Sequence, residues 1–108
     1  MNRGEVVACY RCKNDCTLLL KGARTLVSGV EGRFYNATGG PYMANGGQGD
    51  VLAGVIGALA AQGLPPQRAA VVGAYVCGLA AERTWAERGH PRSVTATQVI
   101  RNLPYYLT

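Results

Sequence analysis

The strongest constraint in this sequence is an abrupt change of character at residue 50. Residues 37–49 hold five glycines and one proline, a composition that cannot sustain a helix or a strand and must be loop. From Asp50 onward, Val51, Leu52, Val55, Ile56 and Leu59 are separated mainly by alanine and glycine. That segment is a helix with apolar residues on nearly every side, and such a helix is buried. A glycine-rich loop running straight into a buried helix leaves unpaired backbone N–H groups at the positive end of the helix dipole, which is an anion site. Gly46, Gly47 and Gly49 present no Cβ there, so the backbone can close on a phosphate.

Around this junction the elements read in a simple order. A short helix fits residues 4–14, and a buried strand fits 17–20. Residues 25–27 and 33–36 read as a strand pair around a turn at 28–32. Helices are expected at 50–62, 66–88 and 96–103. Gly63 follows the first, Pro65 and Pro66 open the second, and the capping pattern Thr95-Ala96-Thr97-Gln98 opens the third. In the second helix Ala69, Val72, Val76 and Leu79 fall at helical spacing. The chain of 108 residues reads as a single α/β unit.

Composition narrows the function classes. Eleven basic residues against six acidic ones give a net charge of +5. They are spread along the chain without interleaved aromatics, so a nucleic-acid partner is not indicated and an anionic small molecule is. The sequence shows no apolar leader and no run long enough to span a membrane, so a cytoplasmic protein with reduced thiols is expected. Cys9, Cys12 and Cys16 share one helical face but fall short of a zinc pattern; the remaining ligand would have to be the remote Cys77 or His90. No metal site is assigned to them.

Asp50 has two readings from its position alone. A carboxylate at a helix start is often a cap or a dipole partner. Beside an anion hole it is also placed to take a proton from a hydroxyl undergoing phosphorylation. The familiar phosphate motifs do not apply, because no Lys-Ser/Thr follows the glycines and Leu52 stands where a dinucleotide fingerprint needs glycine.

The run Gly46-Gly47-Gln48-Gly49-Asp50 followed by Val51-Leu52-Ala53-Gly54 resembles the Gly-x-Gly-Asp signature of the ribokinase-like superfamily. With Leu20-Lys21-Gly22-Ala23-Arg24-Thr25, Asn36-x-Thr38-Gly39 and Pro41-x-Met43-Ala44 ahead of it, the chain is similar to the ADP-dependent NAD(P)H-hydrate dehydratases over about residues 17–108. The resemblance implies the C-terminal part of a ribokinase-like three-layer α/β/α fold, with residues 1–108 forming a single partial domain. It implies removal of water from the S epimer of hydrated NADH or NADPH at the expense of ADP or ATP, with Mg2+ compatible with that chemistry. Lys21, Gly22, Ala23, Arg24 and Thr25 would contact the nucleotide, Gly49 its phosphates, and Asp50 the hydroxyl of the hydrated ring. Gly40-Pro41-Tyr42 departs from the Asn-Pro-Gly expected of the family, and Cys77 stands where relatives often carry histidine. An apolar helix of this kind needs cover on several sides; the resemblance implies a missing first half, so a complementing N-terminal half or a homo-oligomer is the expected partner. Two alternatives share the Gly-x-Gly-Asp run: a small-molecule kinase acting on a thiazole or pyrimidine alcohol, and an inactive remnant. Lys21 itself, at a strand end, is ordinarily a solvated charge.

Overall fold

A computed structural model describes residues 4–6, 8, 16–22 and 24–107. Residues 4–6 and 8 are helical, and the remainder of the segment expected as a helix, with Cys9 and Cys12, lies outside the described residues. The strands β1 (Leu18–Leu20), β2 (Leu26–Gly29) and β3 (Gly32–Tyr35) form an antiparallel sheet in the order β1-β2-β3. The hairpin is tighter than its composition suggests. Ser28 and Gly29, read as turn from residue type, pair with Arg33 and Gly32, so the connection is only Val30-Glu31. A tertiary contact decides this. The buried Gln67 accepts from the Glu31 N–H at 2.7 Å and donates to the Gly32 carbonyl at 2.8 Å. Arg68 adds an exposed ion pair to Glu31 at 3.1 Å.

Three helices follow: α1 (Gln48–Ala61), α2 (Pro66–Arg88) and α3 (Ala96–Asn102). Helix α1 begins two residues before Asp50, because Gly47 takes the left-handed conformation (φ 90°) as its N-cap, which only glycine adopts cheaply. Short 3₁₀ turns at Pro41–Met43, Pro91–Ser93 and Leu103–Tyr105 tighten the connections. Proline starts and glycine ends behave as expected: Pro66 opens α2 and Gly89, at φ 74°, closes it. The Thr95 side chain caps α3 by accepting from the Gln98 N–H.

Helix α2 is the spine. It packs against α1, α3 and β2, and its buried residues are mainly small: Ala69, Ala70, Gly73, Ala74, Cys77, Gly78, Ala80 and Ala81. Their size is set by close approach. A Cβ on Gly73 would stand 2.7 Å from Cγ1 of Ile56, and one on Gly78 would stand 2.6 Å from the backbone carbonyl carbon of Thr38. Val72, expected on the inner face, is pushed to the rim by this sandwiching, and Tyr75 lies exposed. At the far end, buried Asn102 donates to the Thr84 hydroxyl (2.8 Å) and to Glu87 (2.9 Å), pinning α3 to α2. Helix α1 is covered on one face only among the described residues. Val55 is buried, whereas Ala53, Gly54, Gly57, Ala58, Ala60 and Ala61 are exposed. Strand β3 is likewise open, with Phe34 and Tyr35 exposed. No helix among the described residues is long and apolar enough to cross a membrane.

Opposite outcomes are expected for two glycine substitutions. Gly57→Ala meets nothing within 4 Å and should stabilise α1 by about 0.5–1 kcal/mol through propensity and unfolded-state entropy. Gly78→Ala must displace the Thr38 backbone and should destabilise by roughly 1–3 kcal/mol; denaturant titration of both variants reads the two signs. A pH effect follows from Cys77, whose burial pushes the thiol up to about 11. The unfolded thiol ionises near its ordinary value of about 8.5, so the folded state holds the proton longer. The contribution from Cys77 should be flat below that pH and fall as pH rises toward 11. Cys77→Ala should lose that part of the slope in melts taken across the same range.

Candidate active site

A cavity of about 500 Å3 opens between the end of β1, the base of the hairpin, the glycine loop and helices α1 and α2. Its volume lies in the range of small-molecule pockets, roughly 300–1,000 Å3. Lys21, Gly22 and Thr25 form one wall. Asn36, Thr38, Gly40, Pro41, Met43 and Ala44 form the loop side, with Gln48 and Leu52 from α1 and Ala74 and Cys77 from α2. The loop is held by a set of polar contacts. The Asn36 N–H donates to the Thr25 carbonyl at 2.8 Å, and the Asn36 amide side chain donates to the Ala74 carbonyl at 3.1 Å. The Thr38 hydroxyl donates to the Tyr75 carbonyl at 2.9 Å. Gly39, at φ 75°, lets the chain turn where a Cβ would fall 3.2 Å from the Gly78 Cα. Further on, Gln48 is buried, and its amide reaches Asn45 Oδ1 (3.2 Å) and the Val94 carbonyl (3.3 Å), which also accepts from Asn45 at 2.7 Å.

These contacts sort the lining by availability. Asn36, Thr38 and Gln48 direct side-chain donors to protein carbonyls. The side chains of Lys21 and Thr25 have no protein partner among the described residues. The Lys21 ammonium stands 3.3 Å from the point a Cβ on Gly49 would occupy, so a cation sits directly over the first turn of α1. No side chain caps that turn, and geometry leaves its first N–H groups outside the helical ladder. Among the described residues Lys21 makes no ion pair. A positive side chain, the Gly49 and Asp50 N–H groups without a partner among the described residues, and a glycine that admits close approach therefore converge at the cavity's edge.

The other residues singled out by sequence are distributed around this point. Arg24 is exposed and does not line the cavity, and Ala23 lies outside the described residues. Gly49 lies beside Lys21, whereas Gly46 faces a separate depression with Arg92 and Thr95. Gly47 packs toward Ala96, the first residue of α3. Asp50 is exposed and faces a groove along α1 lined by Gly54, Ala58, Leu103 and Leu107. Successive helical residues point about 100° apart, so Asp50 and Gly49 serve two neighbouring spaces at one helix start. Asp50 is the third residue of α1, and the N-cap is Gly47 without a side-chain hydrogen bond; capping therefore does not account for the carboxylate. Residue-type reasoning passed over Asn45 and Gln48. Their signal was a polar pair, three apart, inside a glycine-rich run that needs fixed anchors.

At the loop's outer edge the Tyr42 ring meets Trp85 edge-on, with centroids 4.5 Å apart. Burial, with a smaller push from the Glu82 charge, raises the Tyr42 phenol above its ordinary range. No group of three His, Cys, Asp or Glu side chains gathers to hold a metal among the described residues.

The fold and the sequence have known relatives. The chain superimposes on the ADP/ATP-dependent NAD(P)H-hydrate dehydratase from Bacillus subtilis, co-crystallised with ATP and Mg2+, with a TM-score of 0.86 and 26% identity. That match covers 97% of this chain and 38% of the other. The α/β ribokinase-like expectation therefore holds for the region matched. The chain is 45% identical over 107 residues to a bifunctional NAD(P)H-hydrate repair enzyme from Moorella thermoacetica, covering 98% of this chain and 20% of that protein. It is 46% identical over 67 residues to the ADP-dependent (S)-NAD(P)H-hydrate dehydratase of Neisseria meningitidis serogroup B, covering 61% of this chain and 23% of that protein. It thus spans about a fifth of the length of these curated relatives. A profile of NAD(P)H-hydrate dehydratases matches residues 2–105, and the chain belongs to that family.

Proposed function

We propose that this chain supplies the nucleotide site and the catalytic carboxylate for ADP-dependent dehydration of the S epimer of hydrated NAD(P)H. The observation that carries the proposal is the Lys21 ammonium, without an ion pair among the described residues, set over Gly49 at the uncapped start of α1. ADP, or ATP in its place, occupies the cavity, with its phosphates toward Lys21 and the amides of the first turn. Gly22 and Thr25 border the nucleotide, and Met43, Leu52 and Ala74 give it an apolar wall. The relatives' names and the nucleotide in the Bacillus subtilis crystals support this choice of ligand.

Asp50 works on the neighbouring side. Its carboxylate takes the proton of the ring hydroxyl as that oxygen attacks the terminal phosphorus of ADP and the bond to AMP breaks. The hydroxyl becomes a phosphate ester, a far better leaving group. Loss of a proton from the adjacent ring carbon and departure of phosphate restore the carbon–carbon double bond. Cation and amides hold the charge that develops on the transferred group. With no cluster of metal-ligating side chains among the described residues, Mg2+ would be held chiefly by the nucleotide phosphates, as is common for this ion, and would neutralise part of their charge. Cover for the exposed face of α1, and the rest of the hydrated-nicotinamide site, come on this proposal from a complementing half or a second copy.

Two substitutions test the assignment. Lys21→Ala should weaken ADP binding by on the order of 1–2 kcal/mol in calorimetry; unchanged affinity would return Lys21 to the status of a solvated charge. Asp50→Asn, measured in the complete enzyme context, should cut turnover by a factor of roughly 10²–10⁴ with nucleotide affinity barely altered. Because Asp50 is not the cap of α1, the stability cost should be limited to its interaction with the helix dipole, about 0.3–1 kcal/mol. A fully active Asp50→Asn enzyme would remove the base from the mechanism.

A further inference from the structure

The depression that contains Gly46 shares Pro41 and Ala44 with the Lys21 cavity as a common wall, and encloses about 470 Å3. Its chemistry is one-sided. The Gly46 N–H has no hydrogen-bond partner among the described residues. The Arg92 guanidinium has neither a hydrogen bond nor an ion pair there. The Thr95 hydroxyl accepts from the Gln98 N–H and leaves its own proton unspent. Among the described residues no aspartate or glutamate lines the space. Three residues with unspent donors, one of them a permanent cation, therefore line a concavity that no carboxylate lines among the described residues.

The site is also preformed. The turn carrying Arg92 is held by its N–H donating to His90 Nδ1 at 3.0 Å and by Pro91 at its first position. The two walls are tied together, because Asn45 and Gln48 both donate to the Val94 carbonyl. Fixed donors lose little freedom on meeting a ligand, and a guanidinium fork beside a backbone amide suits the oxygens of a phosphate.

We infer that this depression holds a phosphate group of the hydrated nicotinamide dinucleotide, apart from the ADP site. The inference rests on the function proposed above, and position favours the dinucleotide over ADP. Gly46 immediately precedes the N-cap of α1, and Gly47 lies against Ala96 beside Thr95. A dinucleotide whose reacting ring reaches Asp50 has its phosphates several bonds away, within reach of the neighbouring loop, while Lys21 serves the nucleotide on the other face.

The test is a pair of binding profiles on the chain in its complete enzyme context, with the complementing half or second copy present. Titrations with hydrated NADPH, hydrated NADH, ADP and inorganic phosphate are followed by calorimetry and by the Gly46 amide resonance. Arg92→Gln, at an exposed position, should weaken the dinucleotides by on the order of tenfold and leave ADP unchanged, with Arg92→Lys recovering part of the loss. Lys21→Ala should do the reverse. Gly46→Ala, which meets nothing within 4 Å, should keep the melting temperature while impeding the phosphate. A larger loss for hydrated NADPH than for hydrated NADH assigns the site to the 2′-phosphate; equal losses assign it to the bridging phosphates. Dinucleotide affinity that ignores Arg92→Gln, while ADP still depends on Lys21, overturns this inference and leaves the proposed function standing. Inorganic phosphate that saturates Gly46 without displacement by a dinucleotide overturns it as an adventitious anion site. Binding of neither ADP nor a dinucleotide removes both.

Discussion

The contact between Thr38 and Gly78 sets the position of nearly everything else in the site. Helix α2 can lie against the loop only because residue 78 has no side chain, and the loop can stay there only because the Thr38 hydroxyl and the Asn36 amide find carbonyls on that helix. Both are tertiary hydrogen bonds to backbone groups in the middle of a helix, whose carbonyls have a second lone pair to offer. Fixing 36–39 in this way places Met43 and Pro41 over the cavity and delivers the chain to Gly47 in a conformation that starts α1. The cavity's floor, its loop wall and the helix start are thus parts of one fastening.

The division of charge around α1 is a second consequence of the same geometry. Lys21 approaches the helix start over Gly49, and Asp50 turns away from that approach into its own groove. Had the cation and the carboxylate faced each other, they would have neutralised each other as an ordinary ion pair. Kept in adjacent spaces, each retains its charge for a ligand. A single helix start therefore carries a cation over one side and a carboxylate on the other, and the proposed transfer rests on that division.

Much of this was readable from residue types, and the exceptions have definite causes. The three helices, the loop and the capping by Thr95 follow from periodicity and from proline and glycine punctuation, which act locally. The exposed face of α1 follows from its all-round apolar pattern. The turn is shorter than residues 28–32 suggest because Gln67, thirty-six residues from Glu31, fixes the hairpin and nothing local announces it. Val72 falls at an inner position by spacing yet lies at the rim, because α2 is squeezed between two layers where glycine and alanine, not valine, fit. In the site, Lys21, Thr25 and Gly49 carried a signal through their motif. The anchoring duty of Gln48 and Asn45 did not, since burial of a polar side chain depends on a carbonyl at residue 94.

The edge-on meeting of Tyr42 and Trp85 makes the protein its own optical gauge. The chain has one tryptophan, half-exposed on α2, and its ring touches the turn that walls both the cavity and the neighbouring depression. Indole emission responds to solvent and to nearby rings, so a shift of the 41–43 turn by an ångström or two changes what Trp85 sees while the rest of α2 stays put. Any displacement of that turn on ligand binding would therefore register in the unlabelled protein, with one chromophore beside the wall shared by two spaces.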